Sequence, residues 1–271
     1  MQDITTIGAA PTTVSGYFKA MAKHKSLIWV FALHELKGLY AQTYFGVLWA
    51  VIRPLITLAI FTVIFKFFLR VQTQSPYYLF AFTGILSWNL FSNIVVSASS
   101  AVLQKQDMIR KMYFPRLILP VSKILIACVE GGISLLLLLI MILIEHVNIT
   151  VGLLSLPLFV LLNIICGFAV AVWMNGLNIR FRDLNQIMPT IIGIGIWVTP
   201  VFYPTAVIPD KYGFFLYINP MATVIKGYRF ALLGEPFPEL NCWYAILAII
   251  AVGIGGIWYF IRTDDRMVDY A

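Results

Sequence analysis

"LILPVSKILIACVEGGISLLLLLIMILI", Leu117 to Ile144, decides the fold. Lys123 and Glu130 are the only charged residues in this mostly apolar run. A helix needs roughly 20 mostly apolar residues to cross the hydrocarbon core of a bilayer. This stretch is long enough to cross and then to tilt or protrude. The rest of the chain is of the same kind: 271 residues, 61% hydrophobic and 11% charged, with mean hydropathy +0.89. Soluble domains carry about 25% charged residues, so a water-exposed surface could not be covered. The class is an all-α integral membrane protein.

Five further apolar runs, Gly46–Leu69, Tyr77–Val102, Val151–Met174, Ile187–Tyr203 and Trp243–Ile261, bring the expected spans to six. The fifth is the shortest and is bracketed by Pro189 and Pro200. An even number puts both termini on one side, and Lys and Arg collect on cytoplasmic loops. Lys19, Lys23, Lys25, Lys37, Lys105, Arg110, Lys111, Arg116, Arg180, Arg182, Arg262 and Arg266 fall on the terminal side. Lys66, Arg70, Lys211, Lys226 and Arg229 fall on the other. The termini are therefore expected in the cytoplasm. One transmembrane domain is expected over 1–271, with a tail and interfacial helix at 1–45, a bundle at 46–261 and a tail at 262–271.

Before the first span, Trp29, Leu33, Leu36 and Tyr40 share one helical face, and His34, Glu35 and Lys37 lie off it. The apolar part is too short to span, so an amphipathic helix in the interface is expected, or else a cap helix packed on the bundle. Between spans five and six, Asn219-Pro220 reads as an N-cap with Pro at the first helical position, and Gly234 as a C-terminal stop. Met221, Val224, Ile225, Tyr228 and Leu232 keep helical spacing between them. One or two short re-entrant helices are expected there, tolerable at membrane depth where protein or water covers them.

Enzyme signatures are absent from the sequence. There is no G-x-x-x-x-G-K-[ST] phosphate loop, H-E-x-x-H or G-x-S-x-G. His24, His34 and His146 are scattered, and Cys128, Cys166 and Cys242 have no metal-ligand spacing. Catalytic residues, a metal site and a bound cofactor are not expected, nor is nucleic-acid binding, since the few charges sit between apolar runs. If the protein does work, its energy comes from elsewhere.

Glu130 is the one clear carboxylate within a span; a charge at such depth costs about 2.5–3.5 kcal/mol on insertion scales. It could pair with Arg53 or a partner helix, line a pathway, or form an internal packing bridge. Lys123 lies two turns earlier on the same face. In span two, Asn89, Ser92, Asn93 and Ser100 fall in a narrow arc that faces either other helices or a polar channel. Trp197, Phe202 and Tyr203 fit an interfacial aromatic belt, or aromatic faces lining a path for sugar rings.

"QKQDMIRKMYFPRLILP", Gln104 to Pro120, is a basic stretch between apolar runs. Ile109, Met112 and Tyr113 fall at i, i+3 and i+4, with Lys105, Arg110 and Lys111 largely off that face. Pro115 disfavours a helical Phe114, so a helix should stop there. A plain positively charged loop would not need the apolar face, which points to a docking element.

Together with that stretch, "YFGVLWAVIRPL" (Tyr44–Leu55), "NIRFRDLNQI" (Asn178–Ile187), "VTPVFYP" (Val198–Pro204) and "INPMATVIKGYRFALLG" (Ile218–Gly234) resemble the membrane subunits of ABC transporters that export O-antigen, capsule and teichoic-acid polymers. The likeness runs from about Leu27 to Ile261. It implies a homodimer bound to two copies of a separate ATPase, which would hold the ATP and magnesium, in a bacterial cytoplasmic (inner) membrane. By similarity, Lys105, Asp107, Ile109, Arg110, Lys111, Met112, Tyr113 and Phe114 would belong to a coupling helix seated on the ATPase. Arg180, Arg182 and Asp183 would make a second contact. The substrate would be a polysaccharide on an undecaprenyl pyrophosphate lipid, its pyrophosphate passing Lys25, Lys37 and Arg53. Asn89, Ser92, Asn93, Trp197, Phe202 and Tyr203 are the expected channel lining. An exporter of small hydrophobic compounds and a membrane enzyme acting on lipid-linked sugars are the alternatives.

Overall fold

The computed structural model describes residues 14–264, apart from 42–43, 113, 149, 179–180 and 182. Every described regular element is a helix. In order they are α1 (Val14–Lys23), α2 (Lys25–Tyr40), α3 (Trp49–Phe61, continuing as a π-helix over Thr62–Phe68), α4 (Tyr77–Ser99), α5 (Ala101–Gln104), α6 (Gln106–Lys111), α7 (Ile118–Ile144), α8 (Leu156–Asn178), α9 (Leu184–Val198), α10 (Phe214–Ile218), α11 (Pro220–Leu233) and α12 (Trp243–Thr263), with short 3-10 turns between some of them. Five helical stretches are long and apolar enough to cross a membrane: Trp49–Phe68, Tyr77–Ser99, Ile118–Ile144, Val151–Asn178 and Leu240–Thr263.

The fifth expected span, Ile187–Tyr203, takes a different form. Its helix, α9, runs from Leu184 and stops at Val198 after 15 residues, about 22 Å at 1.5 Å per residue. The reason is local. Thr199 precedes Pro200, and the proline ring forces the residue before it out of the helical region; Thr199 sits at φ −86, ψ 140. The freed carbonyls of Trp197 and Val198 accept from the Tyr203 hydroxyl at 3.1 and 3.2 Å.

α4 is the central helix, packed by α3, α7, α8, α9 and α11, with most of its length buried. In lipid, apolar burial alone gives helices little reason to associate, so packing and polar contacts must do it. Three asparagines on α8 supply them. Asn163 donates to the Ser87 carbonyl at 2.9 Å, Asn178 donates to the Ser99 carbonyl at 2.8 Å, and Asn175 donates to Ala98 and accepts from the Val102 amide.

At the far end of the bundle, α11 begins and ends as its sequence dictates. The Asn219 side chain accepts from Met221 N at 3.0 Å, Pro220 occupies the first turn, and Gly234 closes the helix at φ 70. Met221, Val224, Ile225, Tyr228 and Leu232 are all buried. Arg229 is buried too: it donates to the Val201 carbonyl at 2.7 Å and lies 3.5 Å from the centre of the Phe80 ring. Gly84 makes room for this contact, since a Cβ there would sit 2.5 Å from the Val201 oxygen.

The expected apolar face of α2 divides, with Leu36 and Tyr40 half-buried against the bundle. Trp29 and Leu33 are exposed, while Ala32 is buried and Ile28 and Phe31 pack into the core at the α6 end. Glu35, one turn beyond Phe31, pairs with Lys123 of α7, and Tyr40 reaches Glu130 of the same helix. Partners five residues apart on α2 thus meet partners seven apart on α7, so the C-terminal half of α2 climbs alongside α7. One side packs, and Trp29 and Leu33 are free to meet lipid.

Candidate functional site

Two regions bring expected functional residues together. The first is the basic turn between α4 and α7. α5 ends at a break at Lys105, and α6 carries Gln106–Lys111 before Met112 leaves in extended conformation. The helix stops ahead of Phe114-Pro115, as the proline dictates. Ile109 and Phe114, expected on the docking face, are buried instead, 6% and 3% exposed, in a cluster with Tyr17, Leu117, Val172 and Phe260. They anchor the turn to the bundle. What α6 presents outward is Asp107, Lys111 and Met112, with Lys105 half-buried. Tyr113 lies outside the described residues, as does the Arg110 side chain.

The anchoring has polar parts the sequence did not reveal. Tyr17 of α1 accepts from the Leu117 amide at 3.2 Å, and Arg116 pairs with Asp264, just past α12, at 3.4 Å with both side chains buried. Residues from α1, α7 and the end of α12 therefore grip the point where the basic turn becomes α7. Asp183, at the start of α9, is exposed, while Arg180 and Arg182 lie outside the described residues.

The second region is a cavity of about 230 Å³ between the end of α2, the start of α3, α4 and α7. Glu130 sits in its wall and accepts from the Tyr40 hydroxyl at 3.1 Å and from Asn93 Nδ2 at 3.0 Å. Arg53, Asn89 and Trp49 line the same space. The Arg53 guanidinium lies 5.8 Å from the centre of the Trp49 ring. Burial, then the Glu130 charge and hydrogen bond, push the Tyr40 phenol up to about 12, with Arg53 opposing. Tyr40 stays protonated and donating at any physiological pH. A neighbouring groove shares Arg53, Asn93 and Glu130 and adds Glu35 and Lys123, so polar side chains continue from one to the other.

Other expected residues are dispersed. Lys25 and Lys37 are exposed at opposite ends of α2 and do not line the cavity. Ser92 is half-buried and also off it. Trp197 is exposed, with its ring 5.4 Å from that of Phe61. Phe202 is 0% exposed: its ring stacks on Phe61 with centroids 3.5 Å apart, and its carbonyl accepts from the Tyr77 hydroxyl at 2.9 Å. In this arrangement Phe202 is core rather than channel wall. Glu130 meets a tyrosine and an amide, while Lys123 takes Glu35. Half of the clue to the latter pair was present: Lys123 is a charge in an apolar run, whereas Glu35 has His34 and Lys37 beside it. Among the described residues no cluster could hold a metal ion.

The described residues form a bundle of long apolar helices with a charged turn clamped to one end. Residues 26–233 match the ABC-2 type transporter family, and the chain belongs to that family. Membership makes it a transport subunit that works with an ATPase. It is similar to the O-antigen export system permease protein RfbA of Myxococcus xanthus, 25% identical over 242 residues, covering 89% of this chain and 92% of that protein. A Klebsiella pneumoniae protein of the same name is 26% identical over 204 residues, covering 75% and 78%. The polysialic acid transport protein KpsM of Escherichia coli is 24% identical over 246 residues, covering 87% and 93%.

Proposed function

We propose that this chain is the membrane-spanning subunit of an ATP-driven exporter of lipid-linked polysaccharide. It works as a homodimer with two copies of an ATPase in a bacterial inner membrane, and both termini are cytoplasmic. The observation that carries the reading is similarity over most of the chain to an O-antigen export system permease protein and to a polysialic acid transport protein.

Three features support the finer parts. First, α9 serves as a sixth crossing. It follows closely on the end of α8, and Phe202, four residues past it, lies against Tyr77 at the opposite end of the bundle. Six crossings agree with the Lys and Arg bias. Second, the α6 turn presents Asp107, Lys111 and Met112 outward, a mixed-charge and thioether surface suited to a polar and apolar cleft on the ATPase. Its inward residues bind the bundle, so a push on α6 moves α7, α1 and α12 together. Third, α3 and α9 expose long apolar faces, including Ile56, Ile60 and Phe67 on one and Ile187, Ile191 and Ile194 on the other. A second copy would cover them and enclose a path past Trp197 and Tyr203. α10 and α11 form the re-entrant outer gate. The lipid pyrophosphate passes the exposed cations Lys25, Lys37 and Arg53, and the ATP and magnesium are held by the ATPase.

The test is reconstitution. Vesicles holding the chain and its ATPase should move lipid-linked polymer only with ATP, and a cysteine at Lys105 should label from the ATPase side. Transport by the isolated chain, or labelling from the opposite side, would overturn the reading.

A further inference from the structure

We infer that the cavity beside α3 is a sugar subsite: Glu130, Asn89 and Asn93 hold the first, neutral ring of a lipid-linked glycan while Arg53 holds the phosphate attached to it. This rests on the export reading above and deepens it.

The cavity is lined by a carboxylate, a guanidinium, two carboxamides, a phenol and an indole. Such a set is expensive to keep at membrane depth without a polar occupant. Several members retain bonding capacity. Each Glu130 oxygen accepts one hydrogen bond, from Tyr40 or from Asn93, and a carboxylate oxygen has room for a second. Among the described residues the Asn89 carboxamide makes no hydrogen bond and Arg53 no ion pair. Ring hydroxyls both donate and accept, so they can satisfy the carboxylate and the amides together, while the Trp49 face can cover the C–H side of a ring.

Size and charge narrow the ligand. About 230 Å³ is below the roughly 300–1,000 Å³ of pockets for drug-sized ligands. It suits one ring, not an oligosaccharide. A phosphate against Glu130 would set like charges together, so the phosphate belongs on the Arg53 side. For the same reason an acidic sugar is excluded: its carboxylate would face Glu130.

The test uses the full chain with its ATPase in nanodiscs and three probes titrated calorimetrically. They are farnesyl diphosphate, the same lipid carrying N-acetylglucosamine, and the same lipid carrying glucuronic acid. The neutral glycosylated probe should bind about tenfold tighter than the bare diphosphate, and the acidic one about tenfold weaker than the neutral. Asn89→Ala and Glu130→Gln should each remove most of the gain for the neutral sugar; Asn89→Ala should leave the bare diphosphate unchanged, and Glu130→Gln, by removing a like charge, should not weaken it. Glu130→Gln should also narrow the gap between neutral and acidic sugars. Asn89→Ala guards against misfolding, because it removes no hydrogen bond of the described structure. Equal binding of bare and neutral probes, or variants that weaken the bare diphosphate just as much, would overturn the subsite alone. If no probe binds, the export reading itself fails.

Discussion

Lys123 of α7 and Glu35 of α2 form an ion pair, and Lys123 also donates to Gln104 Oε1 at 3.0 Å. One buried ammonium thus ties together α2, α7 and the end of α5. Either charge alone would be costly in an apolar setting. Lys123→Met and Glu35→Gln should each lower thermal stability in detergent. The double variant should lose less than the sum, with a coupling of about 1–3 kcal/mol. Strict additivity across that cycle would mean the two charges do not interact.

The Arg116–Asp264 pair is more deeply buried than the α2–α7 pair. Breaking a buried pair by removing one partner typically costs about 3–5 kcal/mol. Asp264→Asn should therefore reduce folded protein, measured by size-exclusion recovery. Where protein survives, ATP hydrolysis should continue with less polymer moved, because the grip on the start of α7 is loosened.

On α6 the two faces should respond differently. Ile109→Ala removes a buried side chain, worth about 2–5 kcal/mol of stability, and should lower the melting temperature of the isolated chain. Lys111→Glu and Met112→Asp act on exposed positions. They should leave melting unchanged and abolish co-purification with the ATPase. A melting loss from Met112→Asp equal to that from Ile109→Ala would contradict this division.

Gly84→Ala should be poorly tolerated, since its Cβ would fall 2.5 Å from the Val201 oxygen and 3.1 Å from Arg229 Nη2. Overpacking of this kind costs about 1–3 kcal/mol, readable as a fall in melting temperature. Gly132→Ala, with nothing within 4 Å of the added carbon, is the matched control.

Much of the fold was legible because membrane insertion imposes a simple rule on length and apolarity. The five longest spans and the capped α11 follow from residue type alone: Asn219, Pro220 and Gly234 act through their own backbone chemistry. The α9 boundary was missed because hydropathy runs straight through Thr199-Pro200, while the backbone does not. Which part of the α2 stripe packs was not legible, because in lipid apolar residues such as Trp29 and Leu33 have no obligation to point inward. The short helix between α4 and α7 was legible, but periodicity could not say which side of it faced the bundle, so Ile109 and Phe114 were assigned outward. Partners far apart in sequence, such as Arg116 with Asp264, leave no local signal.

The early stop of α9 has an effect beyond the protein. At about 22 Å it is shorter than the ~30 Å hydrocarbon thickness of an ordinary bilayer. As the sixth crossing proposed above, with its isoleucine face against the second copy, it would make the acyl tails around that part of the dimer compress to match it. The leaflets would then dimple there, and a hydrophilic polymer threading nearby would meet a thinner oily barrier than elsewhere in the membrane.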